Sequence, residues 1–107
     1  MNDPFTTAGF LGLSAALLAI GLFGILTRRN FILLLISIEI AINSAVLNFV
    51  YFAAFAASAP IALTGQSAAV VIIGLAATEV AVGLAIVLAL NRLRGSINVA
   101  EATQLRL

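Results

Sequence analysis

FILLLISIEIAINSAVLNFVYFAAF, residues Phe31–Phe55, runs for 25 residues with a single charged side chain, Glu39. As an α-helix rising about 1.5 Å per residue, such a run exceeds the roughly 20 residues needed to cross a hydrocarbon layer about 30 Å thick. The stretches on either side read the same way: Phe5–Leu26 carries no charge, and Ser67–Leu90 carries only Glu79. The pattern predicts an all-α membrane protein with three transmembrane helices at about residues 4–27, 30–55 and 67–91. They form one membrane domain spanning 1–107, with a polar C-terminal tail over 92–107.

The boundaries carry punctuation. Asp3 before Pro4 fits an N-cap followed by a first-turn proline, and Asn30 and Ser67 are candidate caps for the second and third helices. The stretch Ala57–Gln66, with Pro60 and Gly65, reads as the one substantial loop. The turn TRRN, Thr27–Asn30, is so short that helices one and two must be antiparallel neighbours. Arg28 and Arg29 lie in that turn, and Arg92 and Arg94 follow helix three. By the positive-inside rule the N-terminus is then outside and the C-terminus in the cytoplasm.

Composition narrows the chemistry. Of 107 residues, 64% are hydrophobic and 8% charged, against about a quarter charged in soluble domains. With neither cysteine nor histidine, thiolate metal sites, iron–sulfur ligation, disulfides and Ser/His/Asp catalysis fall away. A net charge of +1 gives no basic surface for nucleic acid. No glycine-rich phosphate loop opens a helix after a strand, and the few carboxylates make no firm divalent-metal site. What remains is chemistry of protons or small cations.

Glu39 lies eight residues from Phe31 and Glu79 eleven from Leu90. These offsets correspond to about 12 and 16 Å of helix, both near the middle of a bilayer. An ionised carboxylate at that depth costs at least a few kcal/mol. Arg29 is ten residues from Glu39, too far for a direct pair. Each acid must therefore keep its proton much of the time or meet a base on another polypeptide. One such glutamate alone could be a neutral hydrogen-bonding acid that glues helices together, whereas two at matched depth point to a proton or ion path. Asn43 sits one turn above Glu39 on the same face, able to support its carboxyl or hold a water. Ala76 and Gly83 on the face of Glu79 would let a helix or a file of water come close. Ser37, Ser44 and Asn48 fall on the far side of helix two, which therefore looks enclosed by protein. The small residues Gly9, Gly12, Ala16, Gly21 and Gly24 of helix one read as packing positions.

GLFGILTRRNFILLLISIEIAINSAVLNFV, Gly21–Val50, and GLAATEVAVGLAIVLALNRLRGSINV, Gly74–Val99, together resemble the small K subunit of NADH:quinone oxidoreductase, respiratory complex I. The resemblance implies a subunit of a multi-pass assembly in a bacterial inner membrane, between the J subunit and an antiporter-like N subunit, with the A subunit nearby. It places the family's relay acids on Glu39 and Glu79 and its loop arginines on Arg28 and Arg29, which would add a coupling role to a topogenic one. It implies proton relay coupled to quinone reduction, with no cofactor in this chain; NADH, FMN, iron–sulfur clusters and quinone would belong to other subunits. Two other readings stay open. One is the small subunit of a multisubunit cation/proton antiporter, and the other is a structural membrane spacer.

Overall fold

The computed structural model describes residues 3–94. Their three helices are α1 (Pro4–Thr27), α2 (Phe31–Ala54) and α3 (Ala59–Arg94). No strand joins them among the described residues, and each is long and apolar enough to cross a membrane. The fold is an all-α, three-span membrane type.

Local chemistry sets the helix ends. The Asp3 side chain accepts from the Phe5 N–H at 3.3 Å, and Pro4 opens α1 where its missing N–H costs nothing. Asn30 accepts from the Ile32 and Leu33 N–H groups at 2.9 and 3.4 Å, so only three residues separate the end of α1 from the start of α2.

The third helix departs from the expectation. It begins at Ala59, eight residues before Ser67, and absorbs most of the anticipated Ala57–Gln66 loop. Pro60 falls in the first turn, where proline is tolerated, and Thr64 returns its hydroxyl to the Pro60 carbonyl at 2.8 Å. Gly65 is a packing residue: a Cβ there would lie 2.7 Å from that of Ala53. Ser67 caps nothing; its hydroxyl donates to the Thr64 carbonyl at 2.9 Å inside the helix. The connection between α2 and α3 is only Phe55–Ser58. Of the polar tail, the part beyond Arg94 lies outside the described residues.

The helices stand in a row with α2 in the middle, packed on α1 by one face and on α3 by the other. The described chain measures 55 × 25 × 18 Å, its long dimension matching the 36 residues of α3 at about 1.5 Å each. A row has no enclosed core. Apart from Tyr51, the buried apolar residues described are few and small, namely Ala53, Ala69, Ala76 and Val87, whereas Leu26 is 83% exposed and Leu63 68%. Such side chains must face lipid or other polypeptides.

The α1–α2 contact uses small residues and local polar bonds. Gly21 lies against the backbone and Cβ of Ala41, and Gly24 against Ser37. The Ser14 hydroxyl donates to the Ser44 carbonyl at 3.0 Å, and Ser37 turns its hydroxyl to the Leu33 carbonyl at 2.7 Å. Ser37 and Ser44, on the far side of α2 from Glu39, are thus buried against this chain's own first helix. Gly9 and Gly12 have no neighbour within 4 Å of a built Cβ, so the packing role expected of them is not exercised within the chain.

At the opposite end of the α1–α2 pair, Tyr51 is 5% exposed, stacks on Phe10 at 4.6 Å between centroids and shares a 2.6 Å hydrogen bond with Thr7. Replacing Tyr51 with Phe keeps the stack and removes the bond. The expected loss is about 1 kcal/mol, read as a small drop in thermal stability of the purified assembly.

Candidate functional site

The α2–α3 register fixes where the two intramembrane acids stand. Leu35 of α2 meets Gly83 of α3, and Ala53 of α2 meets Gly65 of α3. The helices run antiparallel, so a step along one matches a step back along the other. Glu39 lies four residues beyond Leu35, and Glu79 four residues before Gly83. The two glutamates are therefore level.

They do not face each other. Glu39 is half-buried in a groove of about 310 Å³ lined by Ile36, Ile40, Val80 and Leu84. Glu79 is exposed within the chain, on a groove of about 440 Å³ with Ile38, Thr78, Val82 and Ile86. The grooves flank the α2–α3 seam, one on each side. Neither carboxylate takes part in a side-chain hydrogen bond among the described residues, and the Thr78 hydroxyl, on the Glu79 groove, is turned to the Leu75 carbonyl at 2.6 Å. In an apolar surround this leaves two carboxyls unserved by their own chain, which water, an exchanged proton or a neighbouring subunit must satisfy.

The other expected residues fall as follows. Asn43 is exposed, one turn from Glu39, and no hydrogen bond joins the two. Arg28 and Arg29 are exposed in the α1–α2 turn, where the Arg28 N–H closes α1 on the Gly24 carbonyl at 3.0 Å. The antiparallel register brings the exposed Arg92 of α3 to that same end of the row, far along the helices from both acids. Ala76 and Gly83, expected to admit a helix or water beside Glu79, sit on the face of α3 that meets α2: Ala76 is 3% exposed, and Gly83 receives Leu35. Leu35, which lines both grooves, does not stand out in the sequence. Its only signal there was membership of an apolar run, since the pairing with Gly83 needs the interhelical register.

No group of three or more His, Cys, Asp or Glu side chains gathers among the described residues to hold a metal ion. The site's chemistry is that of two carboxyls. The glycine beside them also yields a prediction. A methyl at Gly83 would come 2.8 Å from the Leu35 Cδ1, the far end of a flexible side chain that can turn aside. Gly83→Ala is expected to leave the subunit at near-normal levels in membranes, as measured by immunoblot.

The sequence profile described as NADH-ubiquinone/plastoquinone oxidoreductase chain 4L matches residues 9–107. The chain belongs to this family. It is 46% identical over 101 residues to NADH-quinone oxidoreductase subunit K 1 of Syntrophobacter fumaroxidans, covering 94% of this chain and 97% of that one. NADH-quinone oxidoreductase subunit K of Deinococcus radiodurans is 42% identical over 106 residues, 99% of either chain. That of Bacillus anthracis is 42% identical over 99 residues, 92% of this chain and 93% of its own. Membership of the chain 4L/K family makes this a multi-pass membrane subunit of an oxidoreductase complex, and so one component of a hetero-oligomer. The largely uncovered surfaces of α1 and α3 are the physical counterpart of that placement.

Proposed function

We propose that this subunit relays protons within the membrane arm of a proton-pumping NADH:quinone oxidoreductase, using Glu39 and Glu79 as its proton-carrying groups. The observation that carries the reading is the pair of level carboxyls on the flanks of an apolar seam, neither with a side-chain hydrogen bond among the described residues. A carboxyl in such a place changes its proton occupancy when hydration or a neighbouring charge changes, since a differential interaction of about 1.4 kcal/mol alters the equilibrium tenfold. Events at a distant quinone site can load or empty it by modest rearrangement.

In this reading the chain lies between the J subunit and an antiporter-like N subunit, with the A subunit close by, in a bacterial inner membrane. The arginine-bearing end of the row, with Arg28, Arg29 and Arg92, faces the cytoplasm, following the positive-inside rule. Arg28 and Arg29 add a coupling role at that surface, and Asn43 supports Glu39 through water. NADH, FMN, iron–sulfur clusters and quinone are bound by other subunits. This chain moves protons and carries no electrons.

The test is isolation of the intact assembly through a tag on this chain in mild detergent. The expected result is co-elution with NADH-oxidising subunits and with quinone reductase activity. Co-elution with antiporter-type subunits alone, without redox activity, overturns the proposal in favour of a cation/proton antiporter.

A further inference from the structure

Glu39 and Glu79 are level, yet each opens onto its own groove, and one side chain lines both: Leu35. Its Cδ1 and Cδ2 lie 2.8 and 2.9 Å from where a Cβ on Gly83 would stand, so the isobutyl group fills the notch that the missing side chain leaves. The grooves on either side of it are lined by Val80 and Leu84 on the Glu39 flank and by Ile38 and Ile86 on the Glu79 flank, all apolar. The single hydroxyl beside Glu79, on Thr78, is engaged with its own helix. Among the described residues, no polar group therefore bridges the two acids. A direct passage between the two grooves across the α2–α3 seam needs water admitted to it, and a constriction lined by apolar groups controls passage by its wetting.

We propose that Leu35, seated on Gly83 one helical turn from the level of the two proton-carrying carboxyls, is a hydrophobic gate across the seam that separates their grooves, closed in the conformation described and opened by turning its side chain out of the notch. The inference rests on the relay reading of Glu39 and Glu79 and adds to it a positioning residue that never touches the proton. The pairing suits a gate. What closes the seam is the tip of a side chain with alternative staggered rotamers, while the opposing surface is bare backbone, so opening requires no helix to move. A gate of this kind prevents the two acids from equilibrating except when neighbouring events wet the seam, and a relay coupled to a redox step needs that separation.

The experiment uses the whole complex carrying Leu35→Ala, reconstituted into vesicles, with NADH oxidation by quinone and proton uptake recorded together. The expected result is a lowered number of protons moved per NADH while NADH oxidation stays near that of the parent. Leu35→Met, which refills the notch with an unbranched chain, restores the parental ratio. A merely structural role for Leu35 would lower rate, pumping and complex content in step and leave the ratio unchanged. An assembled Leu35→Ala complex with the parental ratio overturns the gate. Should Leu35→Ala fail to assemble, Leu35→Val, shorter by one carbon, is judged by the same ratio. Glu39→Gln and Glu79→Gln separate the two levels of inference. If they abolish pumping while the Leu35 variants keep the parental ratio, the gate fails and the relay stands. If both glutamate variants pump fully, relay and gate fail together.

Discussion

Glu39→Gln is expected to leave the complex assembled and to lower quinone-linked proton pumping by at least about tenfold, in line with the 10²–10⁴-fold contributions typical of a positioned proton-transfer group. Glutamine keeps the shape and most of the hydrogen-bonding capacity of the side chain but has no proton to exchange. The half-buried groove of Ile36, Ile40, Val80 and Leu84 accommodates a side chain of the same size, and no side-chain hydrogen bond to the carboxyl is lost among the described residues. The measurement is dye-detected acidification of inverted membrane vesicles driven by NADH. NADH oxidation by a water-soluble acceptor, which bypasses quinone, counts the assembled complexes. Glu39→Asp, which retains an exchangeable proton one methylene further back, should recover a substantial part of the activity. Undiminished pumping by an assembled Glu39→Gln complex would falsify the relay.

The second large effect concerns the α1–α2 contact. A Cβ at Gly21 would stand 2.7, 2.8 and 2.9 Å from the N, Cβ and Cα of Ala41. Two of those atoms are backbone of α2 and cannot turn aside, so even a methyl forces the helices apart. In exposed helix, alanine for glycine is worth up to about 1 kcal/mol in favour of alanine. Overpacking of a tight contact costs about 1–3 kcal/mol and sometimes more, and here it also strains the Ser14 bond to the Ser44 carbonyl. Gly21→Ala is therefore expected to reduce the subunit in membranes severely, and Gly21→Leu to abolish it. Gly9→Ala, where a built Cβ meets nothing within 4 Å, is the matched control and should leave the chain's own packing intact. Immunoblots of a tagged chain, with native gels of the complex, read both. Equal levels of Gly21→Ala and Gly9→Ala proteins would contradict the close approach.

The sequence made much of this fold legible because bilayer length and backbone satisfaction leave a charge-poor chain few options. The Asp3 and Asn30 caps were readable because a side-chain acceptor beside orphan N–H groups is a local matter. The start of α3 was not, since Pro60 and Gly65 look like loop punctuation until their surroundings are known. Proline is harmless in a first turn, and Gly65 is required by the nearness of Ala53, far away in sequence. The two glutamates announced themselves by their cost in lipid. That they sit on opposite flanks of the seam, with Leu35 a turn away lining both grooves, depends on how one helix is rotated and slid against another, a long-range outcome no local pattern encodes.

Three helices set side by side leave α2 sheltered and its two companions open along most of their length, with Ala16 and Gly12 of α1 as bare outward as Val70 and Leu75 of α3. A polypeptide built in this way has little tertiary structure to call its own, and most of what holds it must be contributed after insertion, by the subunits it joins. Copies made in excess of those neighbours are accordingly expected to be degraded, so that the subunit's level in membranes should follow the supply of sites waiting to receive it.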